Sequence, residues 1–274
     1  MAVLQPVLQT LVLRPFPFED CSGQLPLVLT MAQVSQNSNL LLSALASEDL
    51  ALLRPYLAEV RLKQKVVIQE ENAPIAHAFF PLSGMISLVA TFETGEAIEI
   101  AAIGREGAIG TRPGLPPQSA FAKAIVQLPG MALKIDIRRF QEAARKSVAI
   151  THIATCANEV MAINLQQSAA CNALHHLESR LARWLLHSHD RIDGDDLPLA
   201  HVFLSQMLGV RRTTVSLAAH TLQKAGVIDY HRGKIRITDR KALETISCDC
   251  YRMVRQNIDR ISAAANAAKT LGDD

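Results

Sequence analysis

The stretch Leu204–Ile228, LSQMLGVRRTTVSLAAHTLQKAGVI, constrains the fold more than any other part of the chain. A short helical run stops at Gly209 and a second run starts at once with Arg211, Arg212, Thr213 and Thr214. A tight joint between two helices needs a residue that tolerates positive φ. It also needs a small residue four positions earlier, here Ser205, and apolar residues to lock the pair. Leu204, Leu208, Val210, Val215, Ala218 and Leu222 fall at that spacing. The pattern predicts a helix-turn-helix with Gly209 at the turn. The second helix of such a unit lies in the major groove and presents its N-terminal residues to base edges. The expected DNA-contacting set is therefore Arg211, Arg212, Thr213, Thr214 and Ser216. Arginine suits guanine O6 and N7, and hydroxyls suit phosphates or, through the threonine methyl, thymine. Downstream, VIDYHRGKIRI alternates around Arg232-Gly233, which predicts a β-hairpin wing with Arg232 and Lys234 on the DNA backbone.

Charge supports this reading through its distribution. The 274-residue chain carries a net charge of only +2. Between His201 and Lys241 there are eight Lys/Arg against two aspartates, so this stretch is basic and the remainder is net acidic. A local basic patch on a near-neutral chain marks a polyanion-binding face. The length allows two modest domains with their own cores. Five scattered cysteines (Cys21, Cys156, Cys171, Cys248, Cys250) fit reduced thiols in a cytoplasm better than a secreted disulfide framework. Cys248-Asp-Cys250 supplies too few ligands for zinc and reads as a structural pair. Residues 1–36 contain Pro6, Pro15, Pro17 and Pro26 and read as a loosely ordered extension without a signal peptide or a membrane span.

From Asn39 to Leu57 the spacing is helical, with a helix start at Ser47 followed by Glu48-Asp49. The period then changes. KVVI, HAFF, MISLVATF, AIEIAAI, AKAIVQL and MALKI are short β-rich runs punctuated by glycines, as in a β-roll. A short helix follows over Asp136–Arg145. Next comes a long helix, roughly Ser147–Leu174, without Pro or Gly. Residues 149, 153, 156, 160, 163, 167, 170 and 174 alternate three- and four-residue spacing along it. Such a seam fits a partner helix, with Ile153, Val160, Ile163, Gln167 and Leu174 as the expected dimer interface. The alternative is that this stripe packs on the chain's own β-roll. The resulting organisation is α+β: a sensor-like β-roll over 37–146, a dimerisation helix over 147–174, a winged helix-turn-helix over 175–250 and a helical tail over 251–274.

A β-roll, a long helix and a winged helix-turn-helix in this order resemble the Crp/Fnr superfamily of bacterial transcription regulators. The most specific residues are LSQMLGVRRTTVSLAAHTLQKAGVIDYHRGKIRITDRKALE, and IGREGAIG (Ile103–Gly110) and CDCY (Cys248–Tyr251) are similar to a branch without an assigned effector. The resemblance implies a cytoplasmic homodimer with a cyclic-nucleotide-binding-like domain, a palindromic operator on double-stranded DNA and contact with RNA polymerase. It implies guanine reading by Arg212 and base reading by Thr213. Leu217 stands where several members carry a second arginine, Ala200 where a Ser/Thr cap is usual, and Val202 where a polar residue is usual. Gln118-Ser119 replaces the Arg-Ser step that holds a cyclic-nucleotide phosphate, and Arg105 and Arg112 lie off the family position. Cys21 alone cannot hold an iron–sulfur cluster, and His77 alone reads as structural rather than a haem ligand. No cofactor, metal or membrane partner is expected. The strands lack the clustered histidines of a metalloenzyme, and no nucleophile motif or phosphate loop occurs, so the chain does not read as an enzyme.

Overall fold

The computed structural model describes residues 39–270 apart from 95, 113–118 and 232, with backbone only at 202 and 267–270. The expected N-terminal extension with Cys21, and also Arg232 and Gln118, lie outside the described residues.

The described residues open with α1 (Leu40–Ser43) and α2 (Ser47–Leu53). Helical spacing is expected from Asn39 to Leu57 with a helix start at Ser47, and the described residues form two short helices there, the second starting at Ser47. Asn39 starts α1: its side chain accepts from the backbone N–H groups of Leu41 and Leu42 while donating to the carbonyls of Pro81 and Gly107. That buried cap ties α1 to the β-roll. Ser47 does begin α2, with Glu48 and Asp49 in its first turn, where they complement the helix dipole.

Among the described residues seven strands form the roll: β1 (Ala58–Leu62), β2 (Val67–Gln69), β3 (His77–Pro81), β4 (Met85–Thr91), β5 (Ala97–Ile103), β6 (Lys123–Leu128) and β7 (Gly130–Asp136). They make two antiparallel sheets, ordered β1-β7-β3 and β2-β6-β4-β5. Ile86, Leu88, Ile103, Val126 and Phe79 fill the space between them. β1 was not expected. Its Glu59 and Arg61 alternate with apolar residues on an exposed edge, so its apolar signal is weak.

Asp136 caps α3 (Ile137–Lys146), and Ser147 caps α4 (Val148–Leu174) by accepting from Ile150 N at 3.1 Å. At about 1.5 Å per residue, the 27 residues of α4 make a rod of about 40 Å. By length and composition alone α4 could cross a membrane. Its apolar residues instead serve two packing faces within the chain. One meets the β-roll and α3; the other meets the C-terminal helix α9 (Cys250–Thr270). Here the sequence expectation needs correction. Ile153 and Val160, expected at a dimer interface, are buried among the chain's own core residues. Gln167 is half-buried. The narrow seam arose because two intramolecular neighbours share α4, which a single helix sequence does not distinguish from a partner chain. Of the expected set Leu174, 77% exposed, is the one that faces solvent fully.

The C-terminal part comprises α5 (Leu177–His189), β8 (Asp196–Leu197), α6 (His201–Leu208), α7 (Arg212–Lys224), β9 (Ile228–His231), β10 (Lys234–Ile237), α8 (Arg240–Ile246) and α9. Its sheet is ordered β8-β10-β9. The core of this part is not separate, contrary to the expectation of two independent cores. Leu181, Leu185, Leu204, Val215 and Leu222 cluster with Met85, Val89 and Ala102 of the roll.

Candidate nucleic-acid interface

Gly209 ends α6 at φ 63°, ψ 37°, the left-handed conformation that the joint requires. Arg180 of α5 donates to Leu208 O at 2.8 Å and so satisfies an orphan carbonyl at the end of α6. Val215, Ala218, Ala219 and Leu222 point α7 into the core, which turns its other face outward. Arg211 caps α7 with extended backbone, and Arg211, Arg212, Thr213 and Thr214 are all exposed. Neither arginine forms an ion pair among the described residues, so the tip presents two uncompensated guanidinium groups. Leu217, 66% exposed, lies further along the same helix.

Ser216 departs from the expected role. Its hydroxyl donates to Arg212 O at 3.0 Å and lies 2.8 Å from His201 Nδ1. The His201 ring stacks on Tyr230 of β9 at 3.9 Å and 16°. Ser216 therefore joins α7 to α6 and the wing instead of projecting freely. Burial, and secondarily the charge of Arg212, holds His201 below the ordinary imidazole pKa, so it serves this contact as a neutral ring. Sequence reasoning missed His201 and Tyr230 because only the tertiary arrangement brings them together. α6 has no side-chain cap at Ala200, as its sequence implies.

Lys234 pairs with His231 across a two-residue hairpin loop and is exposed. The basic patch is smaller than the sequence count. Arg236 makes a bidentate pair with Asp196 at 2.7 and 2.8 Å. Arg240 binds Asp190 at 2.7 Å and Glu244 at 3.0 Å. Both support the domain, and of the remaining described basic residues Arg211 and Arg212 stand at the tip of α7 and Lys234 on the hairpin.

The roll carries a cavity of about 140 Å³ against α4, lined in part by Leu88, Ile100, Phe121, Met161 and Arg112. The Arg112 guanidinium lies 4.5 Å over the Phe121 ring. Arg105 lines a different depression beside Arg191. His77 sits edge-on to Phe79, and burial together with Lys134 lowers its pKa. Cys171 and His175 converge with the Cys248-Asp-Cys250 pair at the far end of α4.

Residues 179–246 match the Crp-like helix-turn-helix domain family. No curated protein matches the chain in sequence. Among solved structures it is similar to FixK2 from Bradyrhizobium japonicum, at 16% identity over 70% of this chain and 98% of that one, with a TM-score of 0.59. A CRP-family transcriptional regulator from Thermus thermophilus gives 17%, 69%, 96% and 0.58 for the same quantities. CLP of Xanthomonas campestris, a c-di-GMP responsive global regulator, gives 13%, 71%, 100% and 0.56. The class is thus set by a Crp-like DNA-binding domain attached to a β-roll and a long helix. Residues 179–246 form a Crp-like helix-turn-helix domain, and the chain shares the fold of these structures.

Proposed function

We propose that two copies of this chain bind a palindromic operator and contact RNA polymerase in the cytoplasm. Arg212 reads guanine, Thr213 reads the neighbouring base, and Arg211, Thr214 and Lys234 hold phosphates. The observation that carries this reading is the exposed tip of α7, whose two arginines lack acidic partners among the described residues while the rest of the helix is anchored in the core. Free guanidinium groups on a fixed helix end supply base readout together with salt-dependent phosphate affinity.

The regulator does not respond to cyclic AMP, and its effector is unassigned; a ligand-independent or redox response is the alternative. The roll cavity of about 140 Å³ is mostly apolar, smaller than the roughly 300–1,000 Å³ of typical small-molecule sites. Arg112 favours a second reading, in which a cyclic nucleotide places its phosphate beside that guanidinium. Binding to operator fragments selected from genomic DNA, with and without cyclic AMP, tests both. Arg212→Ala should weaken operator binding by about 5–150-fold, or about 1–3 kcal/mol, and relax the preference at one base pair. Unchanged affinity and unchanged preference would remove the reading. A gain in affinity with cyclic AMP would favour the second.

A further inference from the structure

We propose that Cys171, His175, Cys248 and Cys250 bind a single thiophilic divalent metal ion, zinc by its ligand set. Cys171 is on the last turn of α4, His175 follows the end of that helix, Cys248 lies in the turn between α8 and α9, and Cys250 opens α9. The chain brings these ligands together across 77 residues. Their ligand atoms all lie within 4.8 Å of one another. Cys171 Sγ is 3.5 Å from Cys248 Sγ, and Cys250 Sγ is 3.4 Å from His175 Nδ1.

These spacings suit one tetrahedral ion. With bonds of about 2.3 Å to sulfur and about 2.0 Å to nitrogen, the edges of such a tetrahedron measure about 3.5–3.8 Å. Three cysteines and one histidine form a closed structural zinc set, with no position left for water. The spread is too small for an iron–sulfur cluster, whose cysteines ligate different irons.

The surroundings point the same way. The three cysteines are buried, yet they form a cluster of their own, apart from the apolar cores. A buried cysteine serving only as a small hydrophobe would join such a core. Arg180 and Arg183 lie within electrostatic reach of Cys171, and the Nε atoms of both are buried without a hydrogen-bond partner. A divalent ion held by three thiolates and a neutral imidazole carries a net negative charge, which these guanidinium groups balance.

The consequence is mechanical. α4 gives way to α5 at His175-His176, the junction between the long helix and the DNA-binding domain. An ion at the cluster would pin that junction to the α8–α9 turn and fix the direction in which α7 projects. This inference does not depend on the operator reading.

The test uses the full chain purified under reducing conditions. Metal analysis should find one zinc ion per chain. After chelation, titration with Co(II) should give the absorption of a four-coordinate thiolate site, which zinc then abolishes. Cys171→Ser and Cys250→Ser should each weaken metal binding by more than about tenfold, while Cys156→Ser, distant from the cluster, should not. The wild-type Co(II) titration decides the matter even if a serine variant fails to fold. Folded wild-type protein that holds no zinc and gives no such absorption would overturn the proposal. So would metal retained undiminished in both cluster variants, iron with acid-labile sulfide, or a Cys171–Cys248 disulfide in the reduced preparation.

Discussion

Gly209 does two jobs at one atom's scale. Its φ of 63° would strain any other residue, and a Cβ there would lie 2.7 Å from Ile98 Cδ1 on the β-roll. Gly194, at φ 88°, has nothing within 4 Å of where a Cβ would stand, so it isolates the backbone part of that demand. Gly194→Ala should cost about 1–2 kcal/mol from the left-handed backbone alone. Gly209→Ala should cost about 1–3 kcal/mol more through overpacking against Ile98. Urea unfolding of both variants measures the difference, and equal losses would mean that the Ile98 contact is slack. His187 and Glu99 make opposite demands on pH. Burial, then the charges of Arg191, Arg183 and Arg255, holds His187 well below its ordinary 6.5. The unfolded chain then binds a proton that the folded chain refuses, so this contribution is complete above pH 6.5 and is lost as pH falls below it. Burial pushes Glu99 above its ordinary 4.5, against the hydrogen bonds from Ser87 and Trp184. Stability from Glu99 therefore falls as pH rises from 4.5 through its raised folded value. His187→Gln should flatten the acid limb of a stability–pH curve, and Glu99→Gln the decline that starts near 4.5.

Among the elements, α4 best separates what a helix sequence states from what it leaves open. Its length and its apolar period were legible, because each depends on nearest neighbours along the chain. The partner of each stripe was not, since a β-roll, α9 and a second copy all favour the same residues. With Ile153 and Val160 enclosed, the side of α4 left for a second copy carries Ala162, Leu165, Ala169 and Ala173 at three- and four-residue spacing. Small residues there allow close helix approach. Ala169→Glu should convert the proposed dimer to monomers in light scattering and abolish tight operator binding, with the thermal midpoint nearly unchanged. A dimer that persists would place the seam elsewhere. The strands of the roll were readable by their β-rich runs, except β1, which is an edge whose charges face solvent.

Across the whole molecule, the motif IGREGAIG acquires a physical meaning. Glu106 accepts from Gly104 N and from Arg191 Nε and Nη2, the last at 2.5 Å. Arg191 also donates to His187 O at 2.7 Å. A Cβ on Gly104 would fall 2.7 Å from the Arg191 side chain, so the glycine leaves the path for the guanidinium. This pair, buried on both sides, joins the roll to the segment that follows α5. Breaking it leaves a buried charge unpaired. Arg191→Met should destabilise the chain by about 3–5 kcal/mol, and adding Glu106→Leu should recover much of that loss. Chemical denaturation of the singles and the double closes the cycle, and additive losses would show the pair to be uncoupled.

The sequence by itself determined the helix-turn-helix, its exposed Arg-Arg-Thr-Thr tip, the wing hairpin, most strands and the reach of α4. Periodicity, caps and turn residues act over a few neighbours and can be read without coordinates. Tertiary structure decided which side of α4 is enclosed, which of the arginines near α7 are already paired, and that Ser216 leans on His201. It also decided that a histidine and three cysteines scattered over two distant segments meet at one point. Those outcomes depend on contacts between residues far apart in the chain, and local spacing carries no record of them.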